Sequence, residues 1–227
     1  SAPTCAACDG SVDKFQQGSY GWKIGTTTGI PLAYCSGPAF GGTMSSYRAE
    51  GYGMLSYFLF LRRMFEWYAP VHVLDPMPPH SLYCDNFSLV RTITSILNKS
   101  SEGNPNQVLA TDWDVIMQIE ATQRQLQGTQ APAIRWIKGH QDEQTPYEQL
   151  SIPARYNVDA DSLANQYIAQ HPESRIHAPV LPASGIQLNF KHGTVSSSLK
   201  KQIRDAATIP ALLNHLSHKY SWGPDQC

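Results

Sequence analysis

Hydrophobic positions change their period along this chain, and the changes mark out its elements. Thr4-Cys5-Ala6-Ala7-Cys8 is a small apolar run closed by Asp9 and followed by Gly10-Ser11, which predicts a buried strand with Asp9 as its last residue. Tyr20, Trp22 and Ile24 alternate, so Tyr20–Thr27 reads as a second strand and Leu32–Ser36 as a third, with glycine-rich turns between them. The period then lengthens. Glu50, Met54, Tyr57, Leu61 and Met64 or Phe65 recur every three or four residues and predict the longest helix, Ser45–Trp67. Leu82-Tyr83-Cys84 is a short strand that Asp85 closes, and Asn86 opens a helix over Phe87–Asn98. Val115, Ile116, Ile119 and Leu126 predict a helix near Asp112–Gln125; Ala133–Lys138 reads as a fifth strand, and a last helix starts near Val158.

Four acids interrupt this pattern where an apolar residue or a cap is the ordinary occupant. Asp9 and Asp85 close strands, and Glu50 lies on the core stripe of its helix. Asp161 shares a helix face with Val158, Ala164 and Ile168, whereas Asp159 points about 200° away at roughly 100° per residue, so Asp161 is the candidate. An ionised carboxylate facing a core must neutralise, pair or bind a metal, and no basic residue in these motifs is placed to pair with each acid. All-oxygen donors select magnesium first and manganese second. Four carboxylates exceed the needs of one ion and suit a two-metal phosphoryl-transfer site.

Asp9-Gly10-Ser11, Arg48-Ala49-Glu50, Cys84-Asp85-Asn86, Trp136-Ile137-Lys138-Gly139-His140 and Asn157-Val158-Asp159-Ala160-Asp161-Ser162-Leu163-Ala164 resemble, in order, the motifs of the ribonuclease H family. The resemblance runs from residue 4 to residue 171 and is nearest in wording to ribonuclease H domains of eukaryotic retroelement polyproteins. It implies an α/β fold: a five-stranded mixed sheet, its first three strands antiparallel, flanked by helices. It also implies a magnesium-dependent endonuclease that cuts the RNA strand of RNA–DNA hybrids, leaving a 5′-phosphate and a 3′-hydroxyl, with a reverse transcriptase domain upstream in the same polypeptide.

Carried over by motif, Asp9 bridges two ions, Glu50 and Asp85 complete the site of the water-activating ion, and Asp161 holds the other. His140 matches a mobile histidine that assists proton transfer or product release. Gly10, Ser11, Glu50 and Asn86 are the candidates for reading the 2′-hydroxyl that only RNA offers. Thr43, Ser45 and Ser46 occupy the stretch that binds a phosphate of the DNA strand, and Asn157 is a further nucleic-acid candidate.

The chain departs from the family's pattern at Lys99–Asp114 and at Gln141–Tyr156, and it has serines where many relatives carry asparagines in the Thr43–Ser46 stretch. Many members carry a basic, Trp-containing protrusion where this chain has Lys99–Asp114, with one lysine against Glu102, Asp112 and Asp114; Trp113 there is expected to anchor the core. The segment Gln141–Tyr156 reads as a long, solvated, acidic loop. With 227 residues, 41% of them hydrophobic, the chain can bury one core and a small appendage. A net charge of −1 excludes a strongly basic nucleic-acid binder, so grip must come from a local patch or a neighbouring domain.

The expected division is a catalytic domain over residues 1–172 and an extension over 173–227. In the extension, Glu173–Gly185 reads as a linker or draped strand. Ile186–Phe190 and Thr194–Ser197 form a hairpin, and Leu199–Ala207 and Pro210–Tyr220 form two short helices. Lys191, Lys200, Lys201 and Arg204 make this the most basic stretch, so it supplies substrate-binding charge, docks another part of a polyprotein, or simply packs on the main domain. Cys5 and Cys8 with His215 and His218 imitate zinc spacing but fall partly on a core strand, where packing is the ordinary reading. Five cysteines, with no signal peptide, lipidation motif or transmembrane run, point to an intracellular setting, cytoplasm or nucleus. The missing initiator methionine fits a segment cut from a longer polypeptide. Two rivals remain: a transposase or integrase-like DNA nuclease of the same fold, and a degenerate scaffold that only binds hybrid.

Overall fold

A computed structural model describes residues 3–68, 80–98, 110–126, 131–172, 177–184, 187–190 and 193–220. Five strands, β1 (Thr4–Val12), β2 (Gly18–Thr26), β3 (Pro31–Ala39), β4 (His80–Cys84) and β5 (Ala133–Trp136), form one sheet in the order β3-β2-β1-β4-β5. β1, β2 and β3 are antiparallel, and β1, β4 and β5 are parallel. This is the five-stranded mixed sheet, its first three strands antiparallel, that the resemblance implied.

Helix α1 (Ser46–Tyr68) packs on one face against β1 and β2, beside α2 (Phe87–Leu97) and α3 (Trp113–Gln125); α4 (Ile152–Gln170) covers the other face. Alternation along β1 divides the core accordingly. Ala6 and Cys8 join the large cluster with Trp22, Tyr57 and Phe58, while Cys5 and Ala7 meet Tyr156 and Ile152 of α4. Cys5 and Cys8 therefore face opposite sides of the sheet as packing residues, remote in role from a zinc knuckle. Met54, Tyr57 and Leu61 are buried as the helical stripe required, and at its end Phe65 packs inward while Met64 is exposed.

Four expectations need correction. Asp9 does not end its strand: the parallel pairing with β4 stops at Cys8↔Cys84, but the antiparallel pairing with β2 continues through Asp9↔Gly21 to Val12↔Gly18. The last helix starts at Ile152, because Ser151 caps it through the Ala154 amide and Pro153 suits its first turn; the expected loop over Gln141–Tyr156 is shortened and holds 3-10 turns at Gln141–Glu143 and Tyr147–Gln149. Trp113 is no core anchor. Its neighbours Asp112 and Asp114 turn inward, leaving the indole half-buried on the wall of an open groove of about 540 Å³. The two short C-terminal helices are one, α5 (Leu199–Tyr220), with Pro210 inside it; the helix is largely exposed, so water can satisfy the carbonyl that proline leaves unpaired.

The inward turn of Asp112 and Asp114 meets Arg48, which is fully buried. Its guanidinium lies 3.0 Å from Asp112 and 2.8 Å from both oxygens of Asp114, and its Nε donates to the Phe40 carbonyl. Asp112 and Asp114, two of the three acids weighed against the one lysine of the Lys99–Asp114 stretch, are thus counter-charges inside the fold; residues 99–109 lie outside the described residues.

A small hairpin of β6 (Asn189–Phe190) and β7 (Gly193–Thr194) is shorter than expected, and Ile186, Lys191 and His192 lie outside the described residues. From Thr194 to Ser196 the chain is strapped to the main domain. The Gly42 amide donates to the Thr194 carbonyl, the Asp112 amide to the Ser196 carbonyl, and the Ser196 hydroxyl to the Thr43 carbonyl. The stretch before the hairpin drapes over α3, where the Ala183 amide donates to Gln118. Among the described residues no helix is long and apolar enough to cross a membrane.

Candidate metal centre

Register alone brings two of the acids together. Cys8, Cys84 and Trp136 form one row across the parallel strands, so Asp9, Asp85 and the loop carrying His140 all leave the same carboxyl edge. Side-chain alternation then directs Asp9 towards α4. A β-carbon on Gly10, directed towards α1, would collide with the backbone of Ala49 and Glu50, and one on Gly21, directed towards α4, would collide with the Ala160 carbonyl. These two glycines let helix backbones close on opposite faces of the sheet at the level of Asp9 and bring up Glu50 and Asp161.

Each acid is held by polar side chains. Asp9 is buried, accepting from the Gly10 amide at 2.6 Å and from the Asn157 amide group at 3.1 Å. Glu50 is buried too, with one oxygen accepting from the Cys84 thiol at 3.2 Å and the other from Asn86 Nδ2 at 3.3 Å. Asp85 comes directly after β4; its Oδ1 is buried without a hydrogen-bond partner, and the Gly139 backbone lies against its Oδ2. Asp161 accepts from Asn165 Nδ2 at 2.9 Å, and the Ser11 hydroxyl donates to Asn165 Oδ1. Asn157, Asp161 and Asn165 are four residues apart, so α4 lays three polar side chains along β1 from Asp9 to Ser11.

The electrostatics are those of crowded negative charge, offset only in part by His140 beside Asp85. Among the described residues no ion pair reaches any of the four acids. Burial first, and then the charges of Asp85 and Glu50, push the Asp9 carboxyl up to about 9. Burial and Asp85 push Glu50 up to about 8, and Asp85 is raised chiefly by burial while His140 opposes the rise. A pocket that disfavours its own carboxylates, holds an unpartnered carboxylate oxygen and offers hard oxygen donors fits divalent cations. Ligand atoms of Glu50, Cys84 and Asp85 lie within 4.8 Å of one another. Cys84 is fully buried with its thiol pushed well up, so it serves Glu50 as a donor rather than a metal as a thiolate.

The remaining candidates divide. Asn157 is 3% exposed and committed to Asp9, so it belongs inside the cluster and not on a surface that meets a strand. Asn86 caps α2 through Oδ1 while its Nδ2 holds Glu50. Ser45 caps α1 by accepting from the Arg48 amide; Thr43 and Ser46 are exposed nearby. His140 is exposed in a left-handed conformation at φ 48°, beside Asp85. Asp159, rejected on helical phase, pairs with Lys23 at 2.7 Å and accepts from Tyr147. Sequence reasoning missed Cys84 and Asn165 as supports; the adjacency of Cys84 to Asp85 and the four-residue spacing of Asn165 from Asp161 were the available signals.

No family model matches the chain, and no curated protein matches it in sequence. Among solved structures, it is similar to LC11-RNase H1 in complex with an RNA/DNA hybrid, at 14% identity over 75% of this chain and 99% of that one, with a TM-score of 0.47. RNase H1 from the halophilic archaeon Halobacterium salinarum NRC-1 matches at 14% identity over 75% and 100% of the two chains, TM-score 0.45. The PFV RNase H domain matches at 16% identity over 72% and 92%, TM-score 0.47.

Proposed function

We propose that this chain is a divalent-metal-dependent endonuclease that hydrolyses the RNA strand of RNA–DNA hybrids, acting beside a reverse transcriptase domain of a retroelement polypeptide. One observation carries the reading: Asp9, Glu50, Asp85 and Asp161 converge from two strands and two opposed helices on one sheet edge, and among the described residues none of the four is held in an ion pair.

Asp9, Glu50, Asp85 and Asp161 would hold magnesium, or manganese in its place. Bound there, two such ions supply Lewis acidity, making water a nucleophile at neutral pH and offsetting charge on the attacking and leaving oxygens. The chain's own groups do the rest. Cys84 and Asn86 fix the two oxygens of Glu50, Asn157 fixes Asp9, and the close approach of the Gly139 backbone sets where Asp85 points. His140, exposed next to Asp85, carries a proton to the departing 3′-oxygen. The Ser11 hydroxyl donates to Asn165 and keeps lone pairs with which to accept from a ribose 2′-hydroxyl.

The test is cleavage of a labelled RNA–DNA hybrid beside duplex RNA and duplex DNA, in magnesium, manganese or chelator, with Asp85→Asn as the control. Metal-dependent cutting of RNA in the hybrid alone, abolished by Asp85→Asn, is expected. Binding of hybrid without cutting would favour the scaffold, and cutting of duplex DNA the transposase class.

A further inference from the structure

Two large aromatic side chains stand in solvent at the mouth of the metal centre without serving the core. Trp136 ends β5 in the same row as Cys84, and its indole N–H donates to the Asp85 carbonyl at 2.9 Å, yet the residue is 49% exposed. Phe87 opens α2 directly after Asn86, the residue that holds Glu50, and is 59% exposed. Their rings meet edge to face, with centroids 6.1 Å apart and planes at 89°. That arrangement uses an edge of one ring and a face of the other, and both residues keep exposed surface beside the centre.

We infer that Phe87 and Trp136 form an aromatic shelf that packs against the sugar faces of the nucleic-acid strand held at the metal centre; this rests on the nuclease reading. The occupant is set by continuity. Phe87 lies two residues after Asp85 and next to Asn86, which holds Glu50, and Trp136 is one hydrogen bond from the Asp85 carbonyl, so a strand seated at the centre runs over the shelf. Bases of a duplex are stacked inside it, which leaves sugars as the apolar surface that such rings meet. Sugars repeat at every nucleotide, so the contact holds the strand without reading sequence. It also supplies grip without positive charge, in a chain whose net charge is −1.

The experiment measures KM and kcat for hybrid cleavage by the full chain over a series of salt concentrations, beside Phe87→Ala, Phe87→Tyr and Trp136→Phe, with a thermal melt of each. Phe87→Ala is expected to raise KM about tenfold at every salt concentration, leaving the salt slope and the melting temperature in place. Phe87→Tyr, which keeps a ring, recovers most of that loss. Trp136→Phe keeps a ring but frees the Asp85 carbonyl, and so lowers kcat more than it raises KM. A wild-type enzyme that cuts hybrid while Phe87→Ala leaves KM unchanged overturns the shelf and spares the nuclease reading, and a Phe87→Ala loss that tracks a lowered melting temperature overturns it equally. A wild-type chain that neither binds nor cuts hybrid removes the nuclease reading and the shelf with it.

Discussion

Replacing Asp9 with asparagine separates what the metal centre costs the fold from what it does for catalysis. Without metal, the folded protein holds the Asp9 proton more tightly than the unfolded chain, because its carboxyl is raised from 3.8 to about 9. Stability from this residue is therefore intact below 3.8 and is lost progressively as pH rises towards 9. At pH 7 the loss is bounded by the interval above 3.8, which at ~1.4 kcal/mol per tenfold preference comes to about 4 kcal/mol. Asp85 and Glu50 share in the repulsion, so removing one acid of the three should return about 2 kcal/mol.

The substituted amide keeps an acceptor for the Gly10 amide, and Asn157 can turn over so that its Oδ1, now buried and unpartnered, accepts the new donor. In chelator near pH 8, Asp9→Asn is expected to melt roughly 4–8 °C above wild type, and the two should converge near pH 4. Magnesium should raise the wild-type melting temperature and change the variant's little. Cleavage by the variant is lost throughout. A variant that melts below wild type in chelator near pH 8, or a wild-type protein whose metal-free stability does not fall as pH rises, would refute the reasoning.

Arg48→Met leaves Asp112 and Asp114 buried without their cation and should cost about 3–5 kcal/mol in a denaturant titration; a loss under 1 kcal/mol would mean that the two acids reach water. His140→Ala should slow cleavage by roughly 10²-fold under single-turnover conditions while leaving melting and hybrid affinity in place, and complete loss of cleavage would assign it more than proton transfer. Asp159→Asn breaks only a partly exposed pair with Lys23, so it should cost no more than ~1 kcal/mol and leave cleavage near wild type, whereas Asp161→Asn abolishes cleavage. The opposite ranking would mean that the helical phase of α4 has been misjudged. Neutralising Lys191, Lys200, Lys201 and Arg204 together should weaken hybrid binding and flatten its salt dependence if the extension supplies charge to the substrate; unchanged affinity and slope remove that role.

Local signals carried most of this fold. Period two gave β2, helical period gave α1 and α3, and Asn86 announced α2 through a cap that does form. The features that stayed hidden depended on partners distant in sequence. Gly10 looked like a turn after a finished strand, because nothing near it tells that β2 extends the pairing and that α1 needs the space a β-carbon would fill. Asp112 and Asp114 counted only as acids set against a single lysine, because their partner Arg48 lies more than sixty residues earlier. Proline at 210 predicted a break, which is the rule for a packed helix, but an exposed one loses a single hydrogen bond and continues.

The same distinction bears on the extension. Its composition suggested a linker and then a basic module, yet Thr194 and Ser196 bond the backbone of Gly42, Thr43 and Asp112, the two sides of the Arg48 network. The segment from Phe40 to Ser45 leads straight into α1, where Ser45 accepts from the Arg48 amide and Glu50 follows two residues after Arg48. A strap that fixes the approach to α1 therefore bears on where Glu50 sits, through the same short helix turn that Arg48 anchors. The charged helix α5 is a separate matter, since its described residues stand largely exposed beyond the strap. Packing on the main domain is thus a property of the strap, and removal of α5 alone tests whether that helix grips substrate without disturbing that packing.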